Sequence, residues 1–235
     1  MINFSVRKIA RNETCMLRFA LLLFFECMGV AFCSAQVVPY AGILGGLSTL
    51  SADARSQLTA HGLNASLYKP ENGPALNLFG GAHVTQYFSL QANYVWNRND
   101  LTLSSTSSTS SLFYEEQRRS SQHALIFDLL IYFRRQDSRL RPYLSAGTGI
   151  AHLSSTQQRI VAVSGAPTLP AFRFSSTRPV LRFAVGMDIA ITRHLAARYS
   201  FSETLRHNDV SAHLSPPGQR GLANFQNLFG IGFRF

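Results

Sequence analysis

Two His-x-Ser pairs, His152/Ser154 and His213/Ser215, bring a base and a hydroxyl close together in the sequence. A serine hydrolase needs its nucleophile within hydrogen-bond reach of a base, and an acid must orient that base. Neither pair is followed by a glutamate at a matching spacing, and Ser215 precedes two prolines in a predicted loop. The sequence therefore predicts no enzymatic activity.

Metal, cofactor and nucleic-acid sites are not indicated either. The seven histidines show no metal-ligand spacing. Gly42, Gly45 and Gly46 lie inside a predicted strand, whereas a phosphate-binding loop lies between a strand and a helix. The chain has 22 Lys and Arg residues against 12 Asp and Glu, but the basic residues are scattered and only two are lysines. We expect no cofactor, no metal and no nucleic-acid partner.

One group of charged residues does suggest a role, because its members interrupt strongly alternating segments. Residues 181–191 and 123–133 alternate large apolar side chains with small or charged ones. Successive side chains of a strand point to opposite faces, so each segment has one apolar face and one face that admits charge. The charged residues of this second face are Asp128, Arg182 and Asp188 in these two segments, together with Arg198 and Arg234 in the predicted strands 195–204 and 225–235.

The elements that must position these charges are eight predicted strands. Each has roughly ten residues, the length that a tilted strand needs to cross a bilayer. Four segments show clear alternation and four show a weaker form of it. The clear ones are 88–97, 123–133, 181–191 and 225–235, and the weaker ones are 37–46, 75–84, 142–152 and 195–204.

The connections between these strands alternate strictly between long and short. A soluble β-sandwich has no physical reason for this, whereas a transmembrane barrel places short turns in the periplasm and long loops outside. We therefore predict an all-β fold, a transmembrane antiparallel up-and-down β-barrel of eight strands with both mature termini in the periplasm. The long loops are 47–74, 98–121, 153–178 and 205–222, and the short turns are 85–87, 134–141 and 192–194.

The two faces of the strands differ in residue size as well as polarity. The lumen of an eight-stranded barrel is only wide enough for side chains to fill it, and a charge facing lipid costs about 2–4 kcal/mol near the midplane. We therefore predict that the five charges face the lumen and pair there, as a fixed plug or as the gate of a narrow pore. Aromatic residues near strand ends, including Tyr40, Tyr132 and Tyr143, are predicted to form interfacial girdles.

Residues 1–35 have the pattern of a cleaved secretory signal peptide. Four basic residues precede an apolar run from Phe19 to Phe32, and small residues precede Gln36. All three cysteines fall inside this segment. The predicted mature domain, residues 36–235, is therefore free of cysteine and basic, with 18 Lys and Arg against 10 Asp and Glu.

Three segments carry a resemblance to a known family. They are RPYLSAGTGI at 141–150, AVGMDIAITRHLAARYSF at 184–201 and the terminal FQNLFGIGFRF. With them the chain resembles the OmpA-like outer-membrane β-barrel family in its small eight-stranded form. The resemblance covers residues 36–235. It implies that the terminal row Phe229, Ile231, Phe233 and Phe235 is the signal read by the barrel-assembly machinery.

The resemblance implies a bacterial outer-membrane protein of structural or surface-interaction type. Its expected partners are outer-membrane lipid and lipopolysaccharide, the barrel-assembly machinery during biogenesis, and an extracellular ligand held by the four long loops. A narrow pore for ions or small solutes is the alternative, because members of this family include channels as well as adhesins, anchors and a few enzymes.

Overall fold

The computed structural model describes residues 37–52, 65–69, 71–106, 114–162, 172–206 and 222–235. Nine β-strands make up nearly all of these residues. No helix within these ranges is long and apolar enough to cross a membrane. The strands are β1 (Val38–Ala52), β2 (Ala65–Lys69), β3 (Glu71–His83), β4 (Phe88–Thr106), β5 (Tyr114–Tyr132), β6 (Leu140–Ala162), β7 (Arg173–Ala190), β8 (Leu195–Arg206) and β9 (Leu222–Arg234).

The strands form a closed antiparallel ring. Each strand from β3 to β9 pairs with the next, β1 pairs with β3, and β9 returns to pair with β1. β2 pairs only with the far end of β4, beyond the part of β4 that pairs with β3, so it adds no further position to the ring. The chain therefore forms an eight-stranded barrel. This confirms the predicted fold class.

The register of the pairings fixes how far the strands are staggered. A path of directly paired residues that begins at Tyr40 returns to β1 at Leu50, ten residues further along the strand. It passes through Gln91, Asp128 and Arg182 on the way. A stagger of ten over eight strands tilts them by roughly 40° to the axis and leaves an interior that side chains fill.

The outer surface carries an apolar band with polar strand ends beyond it. On β5 the exposed outward side chains of the band include Leu125, Phe127 and Ile131. From His123 towards the start of the strand the outward residues become polar, with Ser121, Arg119, Gln117 and Glu115 in turn. We call these polar strand ends, on the side of the long connections, the polar sleeve. The band is where lipid would lie, because charged groups avoid hydrocarbon.

The polar sleeve corrects the predicted loop boundaries. β4 runs to Thr106, β5 begins at Tyr114, β6 runs to Ala162 and β7 begins at Arg173, all inside the predicted loops. Hydrophobic alternation ends where lipid ends, but ladder hydrogen bonds continue with polar side chains on both faces. Residues 53–64, 107–113, 163–171 and 207–221 of those loops lie outside the described ranges.

The interior is richer in large side chains than predicted. Tyr40, Tyr132 and Tyr143, which we predicted at the membrane interface, are each less than 5% exposed and point into the lumen. Leu44 and Ile126 are also buried there. The prediction for the tyrosines was wrong because nearness to a strand end was used, whereas their alternation parity places them on the inner face.

Candidate functional site: the charged lumen

The lumen contains a bidentate ion pair near the short turns. Arg198 on β8 donates from Nε to Asp188 Oδ1 over 2.6 Å and from Nη2 to Asp188 Oδ2 over 2.7 Å. Both side chains are only 4% exposed. Asp188 and Arg198 are direct partners in the β7–β8 ladder, so the strand register presents them to each other. Such a pair is stable when buried because further hydrogen bonds satisfy the remaining polar atoms.

Aromatic side chains enclose this ion pair. Tyr132 donates its hydroxyl to Asp188 Oδ2 over 3.0 Å and accepts a hydrogen bond from Arg198 Nη2. The Arg198 guanidinium also lies 4.5 Å from the ring centre of Phe79 and 5.3 Å from that of Tyr143. Cation–π contacts of this kind hold a desolvated guanidinium in place. The sequence did not indicate this aromatic enclosure, because its three members lie on three different strands.

A second ion pair lies further from the short turns. Arg182 on β7 donates from Nη1 to Asp128 Oδ2 of β5 over 2.9 Å, and each side chain is 2% exposed. Asn93 donates to the same carboxylate oxygen over 3.0 Å. Arg182 also donates to Ser202 Oγ on β8. β6 separates β5 from β7, so this pair reaches across an intervening strand.

Glycines make room for these bulky lumen residues. Gly147 of β6 is the direct partner of both Asp128 and Arg182, so a methyl group there would lie 2.0 Å from Asp128 Oδ1. Gly186 likewise faces Tyr143, and a methyl group there would lie 2.4 Å from its ring. A residue without a Cβ is therefore required where a neighbouring side chain lies flat against the wall.

A hydrogen-bonded chain joins the two ion pairs across the lumen. Arg198 Nη1 donates to Gln91 Oε1 over 2.7 Å, and Gln91 Nε2 donates to Asn93 Oδ1 over 2.7 Å. Asn93 then donates to the Asp128 carboxylate that Arg182 holds. Four strands contribute to this chain. The four charges therefore form one connected cluster, which is more than the sequence alone indicated.

Arg234, the fifth predicted charge, lies apart from this cluster. It is partly exposed at the rim beside the short turns, where Nη1 donates to the Gln136 backbone carbonyl over 3.3 Å. Arg141, which was not among the predicted lumen charges, stacks nearby with its guanidinium 3.8 Å from the ring centre of Tyr132. These two arginines place positive charge at this end of the lumen.

A third buried ion pair, Arg118 with Glu116, lies within the polar sleeve. Arg118 Nε also donates to Ser155 Oγ over 3.0 Å. Burial raises the pKa of the Glu116 carboxyl above its ordinary value, although the Arg118 guanidinium opposes the shift. Side-chain alternation did not predict this pair, because residues 98–121 were expected to form a loop, where alternation has no meaning.

The described residues offer little support for catalysis or metal binding. His152 and Ser154 both face outward from β6, and His152 Nδ1 lies 2.8 Å from Thr177 Oγ1. A hydroxyl thus occupies the place that an orienting carboxylate takes in a catalytic triad. Across the described ranges, no three His, Cys, Asp or Glu side chains are grouped to hold a metal ion. His213 and Ser215 lie outside those ranges.

The terminal row lies on the outer face of β9. Phe229, Ile231, Phe233 and Phe235 are exposed by 64%, 49%, 46% and 69% respectively, so they belong to the apolar band. The Phe235 backbone N–H donates to the Pro39 carbonyl over 3.1 Å and completes the seam with β1. This places an aromatic row where a barrel wall meets lipid.

Comparison with known proteins agrees with this architecture. A family model described as "Outer membrane protein beta-barrel domain" matches residues 19–235. Among solved structures, Neisserial surface protein A is 10% identical with a TM-score of 0.52, and the match covers 84% of this chain and 97% of that chain. Ail of Yersinia pestis is 10% identical with a TM-score of 0.47, covering 86% of this chain and 99% of that one.

The N-terminal β-barrel domain of Pseudomonas aeruginosa OprF is 14% identical with a TM-score of 0.42, covering 86% of this chain and 100% of that domain. No curated protein sequence matches the chain significantly. At 10% identity, the structure of Neisserial surface protein A is informative about the fold alone.

Proposed function

Because the chain belongs to the outer membrane protein beta-barrel domain family, we propose that it is a non-catalytic surface protein of the bacterial outer membrane with a closed lumen. In this role the barrel anchors four external loops, which contact an extracellular ligand. The mature termini and short turns face the periplasm. Lipid and lipopolysaccharide surround the wall, and the barrel-assembly machinery inserts it.

The observation that carries the closed lumen is the connected chain from Arg198 to Arg182. Opening a path through this region requires that Gln91 or Asn93 leave its partners, and that one of two buried ion pairs separate. A buried charge that loses its partner is strongly unfavourable. The cavity between Tyr40, His83 and Arg198 measures only about 10 Å³, too little for a solute. These contacts support a plug over a gate.

Conductance in planar lipid bilayers tests this proposal directly. We expect the purified, refolded chain to show no stable open level, because the lumen is held shut by paired charges. Replacing Arg198 and Gln91 together with alanine should produce measurable openings, whereas Thr49→Ala on the outer face of β1 should not. A reproducible open level in the unmodified protein would favour the narrow pore instead.

A further inference from the structure

A belt of imidazole and hydroxyl groups marks the boundary between the apolar band and the polar sleeve. Tyr94 Oη of β4 lies 2.7 Å from His123 Nδ1 of β5, and His152 Nδ1 of β6 lies 2.8 Å from Thr177 Oγ1 of β7. His123 and His152 are direct partners in the β5–β6 ladder and both are exposed. We call these four residues the histidine belt.

The hydrogen bonds of the histidine belt engage the Nδ1 atoms of both rings and leave the Nε2 atoms for a ligand outside the wall. Each histidine has its Nδ1 beside a hydroxyl, and when that hydroxyl donates, the proton of the neutral ring lies on Nε2. Both rings then present an Nε2–H donor to an acceptor outside the wall. The two rings bond to strands on opposite sides, so the belt suits an extended acceptor such as a phosphate ester better than a single metal ion.

Positive charge accompanies the belt. Arg98 is exposed on the outer face of β4, one outward position beyond Trp96, which pairs directly with His123. Further along, Arg119 donates from Nε to Asp100 Oδ1 over 3.1 Å, so that exposed carboxylate has a cationic partner beside it. Guanidinium and imidazole donors at a membrane interface are typical of sites for phosphate-bearing lipids.

An apolar furrow lies below the belt on the same strands. It has a volume of about 810 Å³, and Ala92, Phe127, Ala146, Thr148 and Leu181 contribute to its lining. Ala92 and Ala146 are small side chains among larger neighbours such as Phe127 and Leu181 in this lining. Thr148 lies four residues from His152 on β6, about 13 Å along the strand, which is the order of distance between a lipid headgroup and the middle of its chains.

The opposite half of the barrel has no such combination among its described residues. At the same boundary the outward side chains are Thr49 on β1, Leu205 on β8 and Phe225 on β9. The outward carboxylate there, Glu203 of β8, would repel a phosphate. Within the described ranges, the histidine belt, the exposed arginine and the furrow therefore coincide only on β4–β7.

From this juxtaposition we propose that the β4–β7 wall is a specific site for the lipid A part of lipopolysaccharide. The phosphate of lipid A accepts hydrogen bonds from His123, His152 and Arg98, and one of its acyl chains lies in the furrow. The choice of lipid A rests on the proposed function, which places the polar sleeve at the outer leaflet.

The single tryptophan of the chain provides a natural reporter, since Trp96 adjoins His123. The refolded chain in detergent micelles is titrated with bisphosphorylated, hexa-acylated lipid A while Trp96 fluorescence is recorded. We expect a saturable change that needs at least ten-fold more lipid A in the double variant His123→Ala/His152→Ala. Arg98→Gln should weaken binding in the same direction, and the matched change Thr49→Ala on β1 should not.

The furrow has its own matched pair of variants. Ala146→Phe fills the furrow and should weaken lipid A binding about ten-fold, while Ala41→Phe on the opposite wall should leave it unchanged. Heat-modifiable migration on gels identifies variants that have not folded. Equal titration of the unmodified and double-histidine proteins would overturn the proposal, as would an equal response to phosphatidylglycerol or to dephosphorylated lipid A. Failure of these titrations leaves conductance and surface topology untouched, so it is distinguishable from failure of the proposed function.

Discussion

At the scale of single residues, the sequence predicts which charged side chains lie in the lumen but not which groups they contact there. Sequence parity was enough to predict that Asp128, Arg182, Asp188 and Arg198 share the inner face, because side-chain alternation is strict in strands. It could not predict that Tyr132 and Gln91 would complete their hydrogen bonds, since those contacts depend on the ten-residue stagger of the closed barrel. Local pattern thus gave the members of the site but not their partners.

Replacing Arg198 with glutamine should destabilise the barrel by about 3–5 kcal/mol, because Asp188 would remain buried without its counter-charge. Urea unfolding of the refolded protein in detergent micelles measures this loss. The double variant Asp188→Asn/Arg198→Gln should be more stable than the single variant Arg198→Gln. Equal losses in the two would show that the ion pair contributes little and that Arg198 acts through packing.

The glycine that faces Tyr143 gives a second prediction at this scale. Gly186→Ala places a methyl group 2.4 Å from the Tyr143 ring and 2.5 Å from the Tyr199 carbonyl oxygen, so overpacking should cost about 1–3 kcal/mol. The same unfolding measurement applies. Gly80→Ala is the control, since the nearest atom to its added methyl group is 4.0 Å away. An equal effect of both substitutions would mean that intrinsic glycine preferences dominate.

At the scale of strands, the structure differs from the sequence prediction beyond the alternating segments, where the strands continue into the predicted loops. Residues 98–106 and 114–121 are strand although neither face of this stretch is apolar. The hydrophobic pattern reports contact with lipid, whereas strand formation requires only a neighbouring strand to accept its hydrogen bonds. The hydrophobic pattern therefore predicts only the lipid-facing part of each strand. The polar ends of the strands are visible only in the pairing register of the structure.

The two ends of the strands should differ in their access from outside the cell. Because residues 36–235 contain no cysteine, single cysteines can be placed at Gln158 in the polar sleeve and at Asp137 in a short turn. A membrane-impermeant maleimide applied to intact cells should label Gln158→Cys and spare Asp137→Cys until the outer membrane is permeabilised. The reverse pattern would invert the proposed orientation.

The final strand carries a prediction about assembly. Deleting Phe235 removes one exposed ring and its hydrogen bond to Pro39, a loss of about 1–3 kcal/mol that a closed barrel should survive. We expect low outer-membrane abundance in cells but near-normal heat-modifiable migration after refolding in detergent. Wild-type abundance in the outer membrane would contradict the proposed assembly signal. A failure to refold would assign Phe235 to stability instead.

At the scale of the whole molecule, the features that depend on closure of the barrel could not be predicted from the sequence. The eight strands followed from the sequence because each depends on a segment read singly, whereas the lengths of the connections did not, since strands extend into the predicted loops. The joining of two ion pairs into one cluster depends on the β1–β9 seam, which no local pattern encodes. The histidine belt was likewise missed, since Tyr94 and Thr177 lie more than 80 residues apart and meet their histidines only through strand pairing.

The polar sleeve also gives the protein a mechanical property. Nine residues separate His123 from Tyr114 on β5, which corresponds to a rise of roughly 20 Å along the tilted wall. Both neighbouring strands are hydrogen-bonded to β5 as far as Tyr114, so this stretch is a rigid extension of the barrel wall. A force applied to the loops is therefore transmitted through the hydrogen-bonded strands to the part of the wall that lies in the membrane.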